Sequence, residues 1–166
     1  AVGLALAMSN LAAMLNEPIA ATTALHKFAS AAAMAEAGVP IPDAVLALSN
    51  DRLNEARAQF GERAVYKTAI GTHGGGTWMV ELDERVNAQV GDRHAFLQEF
   101  LEHDAERHHD LRVYVVGERI VAAMNRYAPE GEWRTNVALG GDVEDMTDRL
   151  PAEVREMALD AVDAIG

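Results

Sequence analysis

The chain contains no cysteine and only two lysines, Lys27 and Lys67. Without cysteine there is no disulfide, no thiolate metal site and no cysteine nucleophile. No apolar run reaches the length a transmembrane helix needs. The apolar start, Ala1 to Leu15, lacks a basic leader and is broken by Ser9-Asn10, which argues against a signal peptide. It also lacks an initiator methionine and starts mid-helix, so the chain reads as a piece of a longer protein. Basic charge is scarce as well: 26 acidic residues face 14 basic ones, a formal net of -12. Such a surface repels phosphate backbones, so neither nucleic acid nor an anionic membrane is expected as a partner. A cytoplasmic location is expected. Acid-rich, lysine-poor composition resembles that of halophilic proteins, in which screening by salt tolerates the self-repulsion. In a chain that avoids lysine, the two that remain are candidates for specific work.

What is present fits a globular protein of one domain or two small lobes: 166 residues, 49% hydrophobic and 24% charged. One stretch stands out. Val65-Tyr66-Lys67-Thr68-Ala69-Ile70 reads as a strand carrying one lysine, and Gly71-Thr72-His73-Gly74-Gly75-Gly76-Thr77 follows at once. Trp78 to Leu82 reads as the returning strand. Glycines let backbone N–H groups approach an anion closely, and a lysine just upstream supplies a point charge, which together suggest a phosphate cradle. A flexible hairpin tip with an ordinary strand lysine is the alternative.

Along the rest of the chain, Leu4, Met8, Leu11 and Leu15 recur at helical spacing, and Asn16-Glu17-Pro18 ends that helix. A second helix is predicted from about Thr23 to Ala37, closed by Gly38. Ala44 to Leu48 suits a strand. Ser49 or Asn50 caps a helix through Phe60, and Asp83 to Val90 reads as a short helix. Ala95 to Phe100 is a strand, and Leu111 to Val116, Gly117-Glu118 and Arg119 to Tyr127 form a hairpin. Pro151 launches a last helix through Ala164. Mixed helices and strands without βαβ alternation predict α+β lobes.

In this order the pieces resemble the ATP-grasp superfamily, most closely its RimK-like carboxylate–amine (glutamate) ligases. The resemblance rests on Lys27 before Gly38-Val39-Pro40-Ile41-Pro42, Val65-Tyr66-Lys67 before the glycine loop, and Phe96-Leu97-Gln98-Glu99-Phe100. It extends through Asp110-Leu111-Arg112-Val113-Tyr114-Val115-Val116-Gly117 to Trp133-Arg134-Thr135-Asn136 and Gly140-Gly141. It implies two α+β lobes with the nucleotide between them, truncated at both ends. Residues 1–24 would be the trailing helix of a missing N-terminal domain, 25–100 the small lobe with the glycine loop, and 101–166 the start of the large lobe. Lys27 and Lys67 would contact the nucleotide phosphates beneath Gly74, Gly75 and Gly76. Glu99 and Phe100 would meet the adenine edge, Asp110 would lie at the ribose, and Arg134 and Asn136 on the phosphate side. Arg112 and Arg126 would serve catalysis by holding the acyl phosphate or the acidic substrate, since guanidinium binds both in a bidentate way.

The implied reaction is activation of a carboxylate by the γ-phosphate of ATP, then attack by an amine, with charge clamping as the main contribution. The implied partners are ATP, an acidic amino acid such as glutamate and a carboxylate acceptor. A homo-oligomer is compatible with the resemblance. Mg²⁺ is implied too, its ligands expected beyond Gly166, so no metal-ligating residue is assigned here and the fragment alone is expected to be inactive. A LysX-type biosynthetic ligase and a non-catalytic nucleotide-binding module are the alternatives. Residue by residue, plainer roles stand beside these: Lys27 as a solvent-facing helix lysine, Glu99 as a strand-end carboxylate, Asp110 as a loop acid, Arg134 and Asn136 as turn residues. His103, Asp104, Glu106, His108 and His109 are ligand types, but their spacing fits no specific metal site.

Overall fold

The computed structural model of the chain describes residues 2–70, 76–81, 83–86, 95–102, 106–137 and 140–166. It divides into two units, Ala1–Leu101 with Ala164–Gly166, and Glu102–Asp163.

The first unit opens with α1 (Val2–Met8), α2 (Pro18–Leu25) and α3 (Lys27–Glu36). Two expectations are corrected here. The first helix stops at Met8, well short of Leu15, and Leu11 and Leu15 stand exposed. The helix expected over 23–37 is two helices. Pro18 occupies the first turn of α2, where its missing N–H is no loss. His26 interrupts the run with extended backbone angles, φ −98° and ψ 103°. Its backbone bridges to Ile70, and its Nδ1 accepts from the Ala29 N–H at 3.2 Å, capping α3. A tertiary strand contact thus wins over helix propensity at this position.

Four antiparallel strands follow: β1 (Ala44–Ala47), β2 (Arg63–Thr68), β3 (Thr77–Glu81) and β4 (Ala95–Glu99), in the order β1-β4-β2-β3. Helix α4 (Asn50–Arg57) is capped by Ser49, whose Oγ accepts from the Arg52 N–H. Period-two alternation puts Ala47, Ala64, Tyr66, Val80, Ala95 and Leu97 into one core with Leu53 and Phe60. Tyr66 and Trp78, cross-strand partners, stack with ring centroids 4.1 Å apart. Arg57, only 2% exposed, sits beside this core. It donates to the carbonyls of Gly61, Glu62 and Val80 at 3.0, 2.7 and 3.1 Å.

The short helix expected over 83–90 is absent from residues 83–86, and 87–90 lie outside the described residues. Asn54 explains the difference: its side chain exchanges two hydrogen bonds with the backbone of Val86, both 2.9 Å. That clasp holds Val86 against α4.

The second unit is a three-stranded antiparallel sheet, β5 (His109–Val116), β6 (Arg119–Tyr127) and β7 (Asp142–Asp145), followed by a 3₁₀ turn (Thr147–Arg149) and all but the last two residues of α5 (Ala152–Ile165). Gly117 takes φ +58° in the two-residue hairpin turn, a value few other residues adopt. Val115 pairs with Ile120 and Tyr114 with Ala122, so Val121 is an extra residue that bulges β6 and shifts the register by one.

Candidate functional site

In the first unit the sheet face opposite the α4 core carries Lys67. Directly across from it on β4 is Phe96, and diagonally placed is Gln98, itself opposite Val65. Phe96 and Val65 are buried, which leaves the lysine ammonium little water. Its Nζ donates to the Gln98 Oε1 at 2.5 Å.

Lys27 arrives at the same end of β2. Its backbone N–H donates to the carbonyl of Ala69 at 2.9 Å, and the His26–Ile70 bridge lies alongside. The Lys67 pKa is lowered, first by burial and then by the positive charge of Lys27; the Lys27 pKa is lowered by burial. Lys27 is also the first residue of α3, whose first turn has no acidic residue. A helix start carries partial positive charge, so it adds to the two ammonium groups instead of offsetting them. Two like charges and a helix N-terminus held together in partial burial form a place that an anion stabilises.

Between β2 and β3 the Thr68 N–H donates to the Gly76 carbonyl at 3.0 Å. Gly76 has φ +82°, and a Cβ there would lie 2.8 Å from the Thr68 methyl group. Gly74 and Gly75 lie outside the described residues. Glu99 ends β4: its N–H donates to the Asp43 carbonyl at 2.8 Å, and its carboxylate accepts from the Asp43 N–H at 3.3 Å. The Phe100 ring lies 5.2 Å from the Arg63 guanidinium carbon.

In the second unit Asp110 and Arg126 are cross-strand partners. The Arg126 Nε donates to Asp110 at 2.7 Å and its Nη2 completes a bidentate pair, while the Thr135 hydroxyl donates to the same carboxylate at 2.8 Å. The hydrogen bond to Asp110 raises the Arg126 pKa. Arg112, two residues along β5, is exposed and faces Met124. Arg134 pairs with Glu132 at 2.6 Å, and this bond with two backbone N–H groups holds the Glu132 carboxyl down to about 2. Asn136 is half-buried in the same loop. Gly141 fits beneath Tyr127, where an added Cβ would come within 2.4 Å of its carbonyl oxygen.

Of the sequence-named residues, the structure therefore brings Lys27 and Lys67 together in one unit, and Asp110, Arg126 and Thr135 in the other. Gln98, which the sequence offers only as part of the Phe96–Phe100 motif and with no role of its own, is the partner of Lys67. Its signal was available: it is the one polar residue among Ala95-Phe96-Leu97-Gln98 and falls on the same alternation as Lys67. His103 and Asp104 lie outside the described residues, and among those described no three His, Asp or Glu side chains are grouped to hold a metal ion. A cavity of about 340 Å³ opens between β1 and α4, lined by Val45, Leu48, Arg52 and Glu55 among others, none of them a candidate residue.

Antiparallel strands and helices in this arrangement are those of the ATP-grasp fold. D-cycloserine synthetase DcsG matches with a TM-score of 0.75 at 15% identity, over 99% of this chain and 59% of that one. The ATP-grasp ligase PsnB, solved with a phosphomimetic variant of its minimal precursor, Mg and ADP, matches with a TM-score of 0.67 at 21% identity, over 91% and 45%. Within that fold the chain belongs to the RimK-like ATP-grasp domain family, which it matches over residues 24–166. A relative named probable alpha-L-glutamate ligase, from Nitrosococcus oceani, is 31% identical over 158 residues, 92% of this chain and 51% of that protein. The chain spans about half the length of the curated relatives it matches.

Proposed function

We propose that this chain is the nucleotide-binding part of an ATP-dependent carboxylate–amine ligase that adds glutamate to a protein, peptide or cofactor. The observation that carries the reading is the convergence of Lys27 and Lys67, the chain's two lysines, at the base of the glycine loop. Partly desolvated cations of this kind bind polyphosphate strongly, because the protein has already met the cost of removing their water.

On this reading residues 25–100 form the small ATP-grasp lobe and 101–166 the start of the large one. Lys27 and Lys67 hold the phosphates, the Glu99–Phe100 backbone meets adenine, and Asp110, Arg134 and Asn136 contribute to the ribose and phosphate side. Arg112, exposed on β5, is the better placed of the two hairpin arginines to take an acidic substrate or an acyl phosphate, since Arg126 is already chelated by Asp110. A carboxylate is phosphorylated by ATP, and the acyl phosphate is attacked by an amine with loss of phosphate. The Mg²⁺ that accompanies such chemistry is assigned no residue of this chain. The acid-rich composition favours work at high salt in the cytoplasm; no helix among the described residues is long and apolar enough to cross a membrane.

The test is calorimetric titration of ADP into the chain at molar potassium chloride, with and without magnesium, beside Lys67→Ala. Binding that weakens about tenfold or more in the variant, about 1.4 kcal/mol, supports the reading. A folded chain that binds no ADP, within a longer protein that also binds none, overturns it.

A further inference from the structure

We propose that Gln98 is a positioning residue that aims the Lys67 ammonium at a bound anion while leaving its charge uncancelled. The inference deepens the nucleotide-binding reading and rests on it. Lys67 and Gln98 meet diagonally across β2 and β4, between two buried apolar neighbours, Val65 and Phe96. In that setting an ammonium needs a polar partner, and the 2.5 Å bond to the Gln98 Oε1 provides one. A lysine ammonium has three N–H donors. Fixing one of them sets the direction of the head group and leaves two for another acceptor.

The chemistry of the partner is the informative part. A carboxylate at this position would make the same bond and neutralise the cation, and the chain has 26 acidic residues with which to do so. It places a neutral amide here instead. The adjacent carboxylate, Glu99, belongs to the other face by strand alternation and is bonded to the Asp43 N–H. An amide orients the cation without quenching its field, which is what an anion site requires and a purely structural contact does not.

The chain's composition makes the test direct. With two lysines, a protein labelled with ¹³C-lysine gives two Cε signals, and Lys67→Arg assigns them. The chain, Gln98→Glu and Gln98→Met are each titrated with alkali by NMR and with ADP by calorimetry, after thermal unfolding confirms that each variant is folded. Gln98→Glu is expected to raise the Lys67 titration midpoint and weaken ADP binding about tenfold or more. Gln98→Met, which keeps the length and removes the acceptor, is expected to weaken ADP binding about threefold without raising that midpoint. If the chain binds ADP and Gln98→Glu binds it equally well, or if neither variant moves the Lys67 signal, Gln98 has no positioning role while the nucleotide reading stands. If the unmodified chain binds no ADP although Gln98→Glu still raises the Lys67 midpoint, the contact is structural and the positioning role falls; the nucleotide reading falls with it only where the longer protein binds no ADP either.

Discussion

The Lys27 backbone N–H donates to the carbonyl of Ala69, two residues beyond Lys67, and that single bond fixes the start of α3 against the end of β2. Both lysine pKa values lie below the ordinary 10.5 because of burial, and that of Lys67 is lowered further by Lys27. The pH dependence has opposite signs for folding and binding. A lysine whose folded pKa is depressed destabilises the folded state while charged, so stability rises as pH climbs through the lowered values towards 10.5. Anion binding needs the charge and falls over the same window. ADP affinity measured by calorimetry should therefore decline with alkali before free lysine would titrate, while the unfolding midpoint gains a small rise. In Lys67→Met that rise should shrink. A parallel loss of both quantities would contradict the assignment.

Arg57 is a buried cation used as a clamp. Its three carbonyl partners come from the α4–β2 turn and from β3, so it joins elements that backbone pairing alone leaves apart. Arg57→Met keeps the packing of the stem and leaves those carbonyls without their donor. A loss of about 3 kcal/mol in urea unfolding is expected, since each buried polar group left unsatisfied costs about 1–3 kcal/mol. A loss below about 1 kcal/mol would show that the clamp contributes little.

The adjacent glycines 140 and 141 should respond differently to alanine. Gly141 lies where a Cβ would come 2.4 Å from the Tyr127 carbonyl, a backbone atom that has no rotamer with which to yield. Gly140 has φ +93° but open space around it. Gly141→Ala should cost about 2–3 kcal/mol through overpacking, and Gly140→Ala about 1 kcal/mol through backbone strain. Equal losses in denaturant titrations would remove the steric account.

Glu132 gives an acid-side prediction. Its folded pKa of about 2, against an ordinary 4.5, arises first from the Arg134 side chain and then from backbone N–H groups. A carboxylate with a depressed pKa contributes stability above its unfolded value, and that contribution is lost as pH falls from about 4.5 towards 2. The Glu132 side-chain carboxyl signal in NMR should titrate near 2 in the chain and move upward in Arg134→Met. An unchanged midpoint would mean that Arg134 does not hold it.

Local chemistry made much of this fold legible. The hairpin followed from a glycine-containing pair between two β-branched runs, the α4 start from Ser49, and the β1 and β4 strands from short apolar runs between turn signals. The scarcity of lysine singled out Lys27 and Lys67. What local pattern could not supply was decided by partners distant in sequence. His26 leaves its helix because Ile70 offers it a strand bridge. The acidic run Asp142–Asp145 has no strand signature and becomes β7 because the edge of β6 accepts its hydrogen bonds, with the Tyr127 hydroxyl donating to Glu144 at 2.8 Å. Counting back from the hairpin turn alone sets Asp110 opposite Asn125; the bulge at Val121 moves it to Arg126 and makes the chelate. Composition and periodicity thus determined which residues were available and which faces they occupied. Register and burial determined which charges meet, because a one-residue shift in pairing or a buried neighbour changes electrostatic energy far more than it changes any local propensity.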